Sequence, residues 1–341
     1  MSNDSKRTTI RDIAEVLNLS VSTVSRALQG NSRISKETID AVKRTAEKMD
    51  YYIHGPAAAL RKGHGNNIGV VVPRVDRQFF SNIIGGIEEV LRTNGFNTFI
   101  YQTQESYENE KSGVQAMLNA GVEGLMISVS VETKDISHIN RFSRSGRPVV
   151  FFDRCMDDSE TCRVMIDDFA AAYKATEHLL ANGCRKLVYF GGTQNLFMYR
   201  NRREGFEQAL LDHGFAPGDI HVIDGMLTRK KGYDSFRELY EAKQIPDGLL
   251  AASDFSALGS ILFMKEVGIS VPDDVCVVGF ANESFTEFME PPLSSIEQFA
   301  GEMGKKTAEM MLRRFTGVQS AETIILNSEL KIRKSSQRTI K

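Results

Sequence analysis

Apolar residues in the first fifty positions recur at helical spacing, and the polar residues between them supply the stops. TIRDIAEVL places Ile13, Ala14 and Leu17 on one side, behind Thr9 with Asp12 three residues later in capping-box register. In NLSVSTVSRALQG, Ser20 as N-cap predicts a helix from Val21 to about Gln29. Val24 and Leu28 share one face of it with Ala27 beside them, and Ser22, Ser25 and Arg26 share the other. Only Asn18, Leu19 and Ser20 separate the two helices, a turn in which Asn can take the left-handed conformation and Leu19 can fill the angle. A third helix follows Ser35, with Ile39, Val42, Ala46 and Met49 at spacings of 3, 4 and 3. The pattern predicts an all-α helix-turn-helix head over residues 1–53.

From Asn67 the pattern changes to short apolar runs alternating with helical periods. IGVVVP, FNTFIY, GLMISV and PVVFFD alternate with helices; RVMID, KLVYFGG, HVIDG, GLLAAS and VCVVGF repeat the plan. Strand and helix in alternation predict parallel, doubly wound sheets in an α/β body of two lobes. Local echoes agree: Gly95 and Gly214 follow similar segments 119 residues apart, and Gly124 and Gly248 do so 124 apart. The expected body is 67–341, its first lobe about 67–164 plus 295–320 and its second about 165–294 plus 321–341, with 54–66 as a hinge helix and linker.

Composition narrows the class. The 341 residues, 41% hydrophobic and 25% charged, are those of an ordinary globular chain with two or three domains. No apolar run approaches the roughly 18 residues of a membrane span, and the polar N-terminus has no signal-like segment, which predicts a cytoplasmic protein with no membrane partner. Four cysteines without a CxxC pair and six histidines without HxxxH signal neither disulfide framework nor metal site, and no cofactor is implied. Charge is uneven: residues 1–63 hold 11 Lys and Arg against 7 Asp and Glu, and the remainder 31 against 37. A basic head on an acidic body is the asymmetry of a DNA reader joined to something else. Ser22 and Ser25 can donate to phosphate oxygens, and the Arg26 guanidinium can fork onto O6 and N7 of a guanine.

In open α/β sheets ligands sit beyond the carboxyl ends of the strands, so a cleft between two lobes is the natural site. The residues there are Arg74, Asp76, Phe79 and Phe80 after the first strand, Asp153 and Arg154 after PVVFFD, Arg202 in YRNRREGF, Asp254 after GLLAAS, and Asn282 with Glu283 after VVGF. Aromatic faces beside Asp, Arg and Asn suit a polyol, because rings cover its C–H face while charged groups bond its hydroxyls. Each has a blander reading: Phe79 and Phe80 as core, Asp153 and Arg154 as a surface ion pair, Arg202 on a solvated helix face. Their convergence on one edge favours a site. Asp153, Asp254 or Glu283 could alternatively serve as acid and base of a carbohydrate-processing enzyme, but the spacing defines no such pair.

The chain strongly resembles the lactose and galactose repressor family of bacterial transcription regulators over nearly its whole length. TIRDIAEVLNLSVSTVSRAL matches the family's head, DYYIHGPAAALRKG its hinge, and the body resembles a sugar-binding periplasmic protein. The resemblance implies that Val21, Ser22 and Arg26 read bases, that Thr23 and Ser25 grip phosphate, with Thr9 beside them, and that Ala57 and Leu60 lie on a hinge helix whose leucine enters the minor groove. It places Arg202, Asp153, Arg154 and Gln298 in the effector cleft. His54 replaces a customary asparagine, Ser253 stands where many members have Asn, and Ala281-Asn282 where many have Asp-Asp. Pro56 can open the hinge helix, which is too short to be stable alone and would fold against DNA and its dimer mate. The C-terminal KIRKSSQRTIK carries no leucine heptad, so a dimer is expected. Together these imply a homodimeric regulator, not an enzyme, that binds a palindromic double-stranded operator under control of a small carbohydrate effector. A body answering mainly to a protein corepressor is the alternative.

Overall fold

The computed structural model describes residues 8–28, 30–51, 65–156, 161–317 and 320–338. They fall into two units that divide at Gly65 and Asn66. The expected hinge residues Ala57 and Leu60 lie outside the described residues.

The first unit holds α1 (Ile10–Val16), α2 (Val21–Leu28) and α3 (Lys36–Lys48). Local chemistry sets each boundary. The Thr9 N–H donates to the Asp12 carboxylate at 2.6 Å, and Ser20 and Ser35 accept the N–H groups of Thr23 (3.0 Å) and Thr38 (3.3 Å). Asn18 adopts the left-handed conformation at φ 48° and ends the first helix before the turn. Ile13, Ala14, Val24, Ala27, Val42 and Ala46 form the buried core, with Leu17, Leu19 and Leu28 packed against it.

The second unit contains two six-stranded sheets. In the first lobe β1 (Asn67–Val72), β2 (Asn97–Gln102), β3 (Gly124–Ile127), β4 (Val149–Phe152), β5 (Cys162–Ile166) and β11 (Thr323–Leu326) run in the order β11-β5-β4-β3-β1-β2. All its pairings are parallel. In the second, β6 (Leu187–Phe190), β7 (His221–Ile223), β8 (Gly248–Ala251), β9 (Cys276–Phe280), β10 (Ser294–Glu297) and β12 (Glu329–Lys331) run β12-β10-β9-β8-β6-β7. Only β12 is antiparallel to its neighbour. Inner strands such as VVV, GLMI and VCVVGF are buried on both faces, as parallel sheets covered by helices require.

Around the sheets pack α4 (Gln78–Thr93), α5 (Tyr107–Asn119), α6 (Ser137–Ser143) and α12 (Ala300–Phe315) in the first lobe. The second has α7 (Asp168–Ala181), α8 (Phe197–Asp212), α9 (Arg229–Glu241), α10 (Asp254–Glu266) and the short α11 (Phe285–Phe288). Glycine permits close helix contact: a Cβ on Gly304 of α12 would lie 2.1 Å from the Ile83 carbonyl oxygen of α4.

The lobe boundaries differ from those expected. RVMID, read as the opening of the second lobe, is β5 and pairs with β4 in the first sheet, Phe152 opposite Val164. TIIL, placed in the second lobe, is β11 at the edge of the first sheet, whereas Ser294–Glu297, placed in the first, pairs with β9 in the second. A short strand carries no mark of which sheet it joins; long-range pairing decides. The chain therefore changes lobe near 167, near 298 and near 327.

Candidate functional site

In the head, the helix-turn-helix geometry turns one face of α2 outward. Val24 and Ala27 are buried, Val21, Ser22 and Arg26 are exposed, and Thr23 and Ser25 are intermediate. The Ser20 hydroxyl lies 2.8 Å from those of Ser22 and Thr23, so the first turn presents a joined row of hydroxyls. Thr9 is exposed at the start of α1. A helix with small hydroxyls and one guanidinium outward can approach a DNA backbone closely and extend one bidentate donor to a base edge.

In the body, a cavity of about 450 Å³ lies between the lobes, within the range of small-molecule sites. Its polar wall comes from the carboxyl ends of parallel strands: Arg74 after β1, Glu105 after β2, Asp153 and Arg154 after β4, Ser253 after β8, Ala281 and Glu283 after β9, and Gln298 after β10. The apolar wall is Phe79, Phe80, Tyr199, Phe255 and Phe280.

Arg202 of α8 is 2% exposed and fully engaged. Its Nε donates to Asp168 at 2.7 Å, Nη1 to the Ala252 carbonyl at 3.1 Å and Nη2 to Gln298 Oε1 at 3.1 Å, and its plane lies 4.0 Å from the Phe280 ring centre. Burial pushes the Asp168 carboxyl up to about 6 although Arg202 opposes the shift. Arg154 donates from Nη1 to both oxygens of Glu105, at 2.7 and 3.0 Å, and Glu105 also accepts the Val131 N–H at 3.0 Å. Asp153 takes the left-handed conformation at φ 57°; its carboxylate accepts the Ser128 hydroxyl at 3.4 Å and lies 3.7 Å from Arg154 Nε. Burial raises its pKa against the pull of both arginines.

Of the nominated residues the structure brings Phe79, Phe80, Asp153, Arg154, Arg202 and Gln298 to one cavity, and leaves three off its wall. Asp76 points to solvent and receives Arg74 Nε at 2.7 Å. Asp254 lies beneath the floor. It accepts the Ser295 hydroxyl at 2.6 Å and the Glu283 N–H at 2.9 Å, and a Cβ on Gly279 would come within 2.1 Å of it. Asn282 turns away, donating to Glu297 at 2.8 Å and accepting from Arg333 at 2.9 Å.

Glu105, Tyr199, Phe255, Arg77, Lys231 and the supporting Asp168 were not nominated. Glu105 follows the end of β2, where the strand-end rule points, and Tyr199 and Phe255 adjoin motifs already singled out. Asp168 had no signal beyond its place at a helix start, 34 residues from Arg202. Ala281 and Glu283 flank Asn282 in a tight turn with Ala281 at φ 103°, which directs Glu283 across the cleft: its carboxylate accepts the Gln78 N–H at 3.1 Å, and Gln78 Oε1 accepts the Ser284 N–H at 2.6 Å.

Residues 65–334 match the family described as periplasmic binding proteins and sugar binding domain of LacI family, and residues 9–53 match bacterial regulatory proteins, lacI family. The HTH-type transcriptional repressor PurR of Haemophilus influenzae (strain PittEE) is 29% identical over 334 residues, 96% of this chain and 98% of that protein. The lac repressor dimer bound to operator and the anti-inducer ONPF shares the fold at a TM-score of 0.84 and 23% identity, over 98% of this chain and 100% of the other. The transcriptional regulator CelR in complex with cellobiose has a TM-score of 0.72 at 25% identity, over 96% and 100%.

Proposed function

The chain belongs to the LacI family of bacterial regulatory proteins, and from that premise we propose that it is a cytoplasmic homodimeric repressor whose hold on a palindromic operator is set by a carbohydrate bound between the lobes. Repressors of this family are not enzymes, and the residues agree: Asp254, raised above as an acid or base, is committed under the floor to Ser295 and the Glu283 backbone. Among the described residues no helix is long and apolar enough to cross a membrane, and no cluster of His, Cys, Asp or Glu could hold a metal.

In this reading Val21, Ser22 and Arg26 contact bases, Thr23, Ser25 and Thr9 contact the backbone, and residues 54–66, with Ala57 and Leu60, are the hinge that folds on the operator. The observation that carries the effector half is the cavity itself, whose polar groups stand at the strand ends of both lobes, so that one ligand touches both. A ligand that prefers one lobe arrangement shifts the spacing of two hinges. The cellobiose complex of CelR supports a sugar as the occupant.

Thermal unfolding of the full chain against sugars, sugar acids, sugar phosphates, nucleobases and amino acids tests this. A ligand that binds only the folded form raises the midpoint. A rise with carbohydrates supports the reading; a rise confined to nucleobases or amino acids overturns the carbohydrate assignment, and none at all turns attention to a protein corepressor.

A further inference from the structure

Two basic groups of the cavity stand apart from its carboxylates. Among the described residues five basic side chains line it, with Glu105, Asp153 and Glu283 on its wall and Asp76 and Asp168 just behind it. Arg74 is paired with Asp76, Arg154 with Glu105 and Arg202 with Asp168. Arg77 and Lys231 are different. Among the described residues neither has a carboxylate within ion-pair distance: the Arg77 guanidinium lies 3.4 Å from the Phe255 ring centre, and Lys231 donates only to the Gly225 carbonyl at 3.0 Å. Half-burial and the neighbouring Arg74 lower the Arg77 pKa against the pull of Asp76, Glu283 and Glu105, none of which pairs with it directly.

Two further observations agree. Among the described residues Arg154, nine-tenths buried on the cavity wall, sends its hydrogen bonds to Glu105 through Nη1, and its buried Nε, 3.7 Å from Asp153, has no hydrogen-bond partner. Helix α9 begins at the cavity edge with Arg229, Lys230 and Lys231 and no acidic residue in its first turn. Lys230 is paired with Asp234 one turn on, but Arg229 and Lys231 at the positive end of the helix oppose its dipole, an arrangement that an anion relieves. Asp153 and Glu283, both raised by burial, remain to accept hydroxyls.

We infer that the effector is an anionic carbohydrate, a sugar acid or a sugar phosphate, whose charged group is taken by Arg77 from the first lobe and Lys231 from the second; this rests on the carbohydrate reading above. The anion gives both cations a direct partner, and because they belong to different lobes it favours the approach of the lobes. The aromatic wall of Phe80, Tyr199 and Phe255 takes the sugar's C–H face.

Calorimetric titration of the full chain with glucose, galactose and ribose, with glucuronate, galacturonate and gluconate, and with glucose 6-phosphate and ribose 5-phosphate tests it, alongside Arg77→Gln and Lys231→Gln. An acid or phosphate should bind at least about tenfold tighter than its neutral parent, and each substitution should weaken the anion by about ten- to a hundredfold. The same substitutions should weaken the neutral parent by clearly less than they weaken the anion. The carboxylate and phosphate arms separate the two sources of charge. A neutral sugar binding as tightly as its anionic derivative, or an anion indifferent to both substitutions, overturns the inference while the carbohydrate reading stands. Binding confined to nucleobases, added as controls, overturns both. Unliganded unfolding midpoints of the variants identify any loss due to folding.

Discussion

Arg202 donates from three nitrogens to three segments: the start of α7, the end of β8 and the crossing after β10. Its work is therefore to fix Gln298 and the Ala252 carbonyl in the cavity wall. Arg202→Ala should remove the effector response and, by leaving Asp168 buried and unpaired, destabilise the body by about 3–5 kcal/mol. Arg202→Lys, which keeps the charge without the fork, should retain more stability but still lose effector response; an intact midpoint shift with ligand in either variant contradicts the assignment. Arg26 makes a prediction in the head: Arg26→Ala should cost about 1–3 kcal/mol on an operator carrying its guanine and relax specificity there, read by competition between sites differing at that base pair. Asp254 makes one about pH. Burial pushes its carboxyl up to about 8, above the ordinary value near 4 of an unfolded chain. The folded state then binds the proton more tightly, so the contribution of this group to stability is fully present below about pH 4 and is lost as pH rises to about 8. Asp254→Asn should flatten that part of the unfolding profile; an unchanged slope contradicts the shift. At this scale the sequence exposed Arg202, Arg154 and Asp153 because they adjoin strand ends or a recognisable run. It hid Asp168, whose partner is remote in sequence, and it promoted Asp254, whose neighbour Phe255 is the residue that reaches the cavity.

Elements were legible wherever their signal was local. Thr9 with Asp12, Ser20 and Ser35 announced the helix starts, and the nine apolar runs named in the sequence are all strands. What sequence could not assign was the lobe of β5, β10 and β11, because each is a short segment suited to either sheet and its place rests on pairing with a strand far away. The α4–α12 contact shows the same dependence on distant partners. Gly304→Ala would place a Cβ 2.1 Å from the Ile83 carbonyl oxygen, in backbone that has no freedom to yield. Separating the helices should cost about 1–3 kcal/mol, measured by urea unfolding of the full chain; wild-type stability in that variant would contradict the close packing.

For the whole molecule, the proposed function rests on joining a basic reading head to a body that would hold its ligand with both lobes. In that proposal the head's outward hydroxyls and Arg26 make the DNA contact, and three crossings of the chain between lobes allow their relative arrangement to change with few segments moving. Both features follow from the alternation of apolar periods, which is why the architecture was readable while the cavity's charge pattern, assembled from residues on many strands, was not. The central claim is that ligand and operator are coupled, and coupling is reciprocal. The most direct measurement selects a site from random double-stranded DNA with the full chain and titrates it with and without the carbohydrate that raises the unfolding midpoint. The account predicts a two-fold symmetric site whose affinity changes by about fivefold or more on adding ligand; an operator affinity that is the same with and without bound ligand would contradict it.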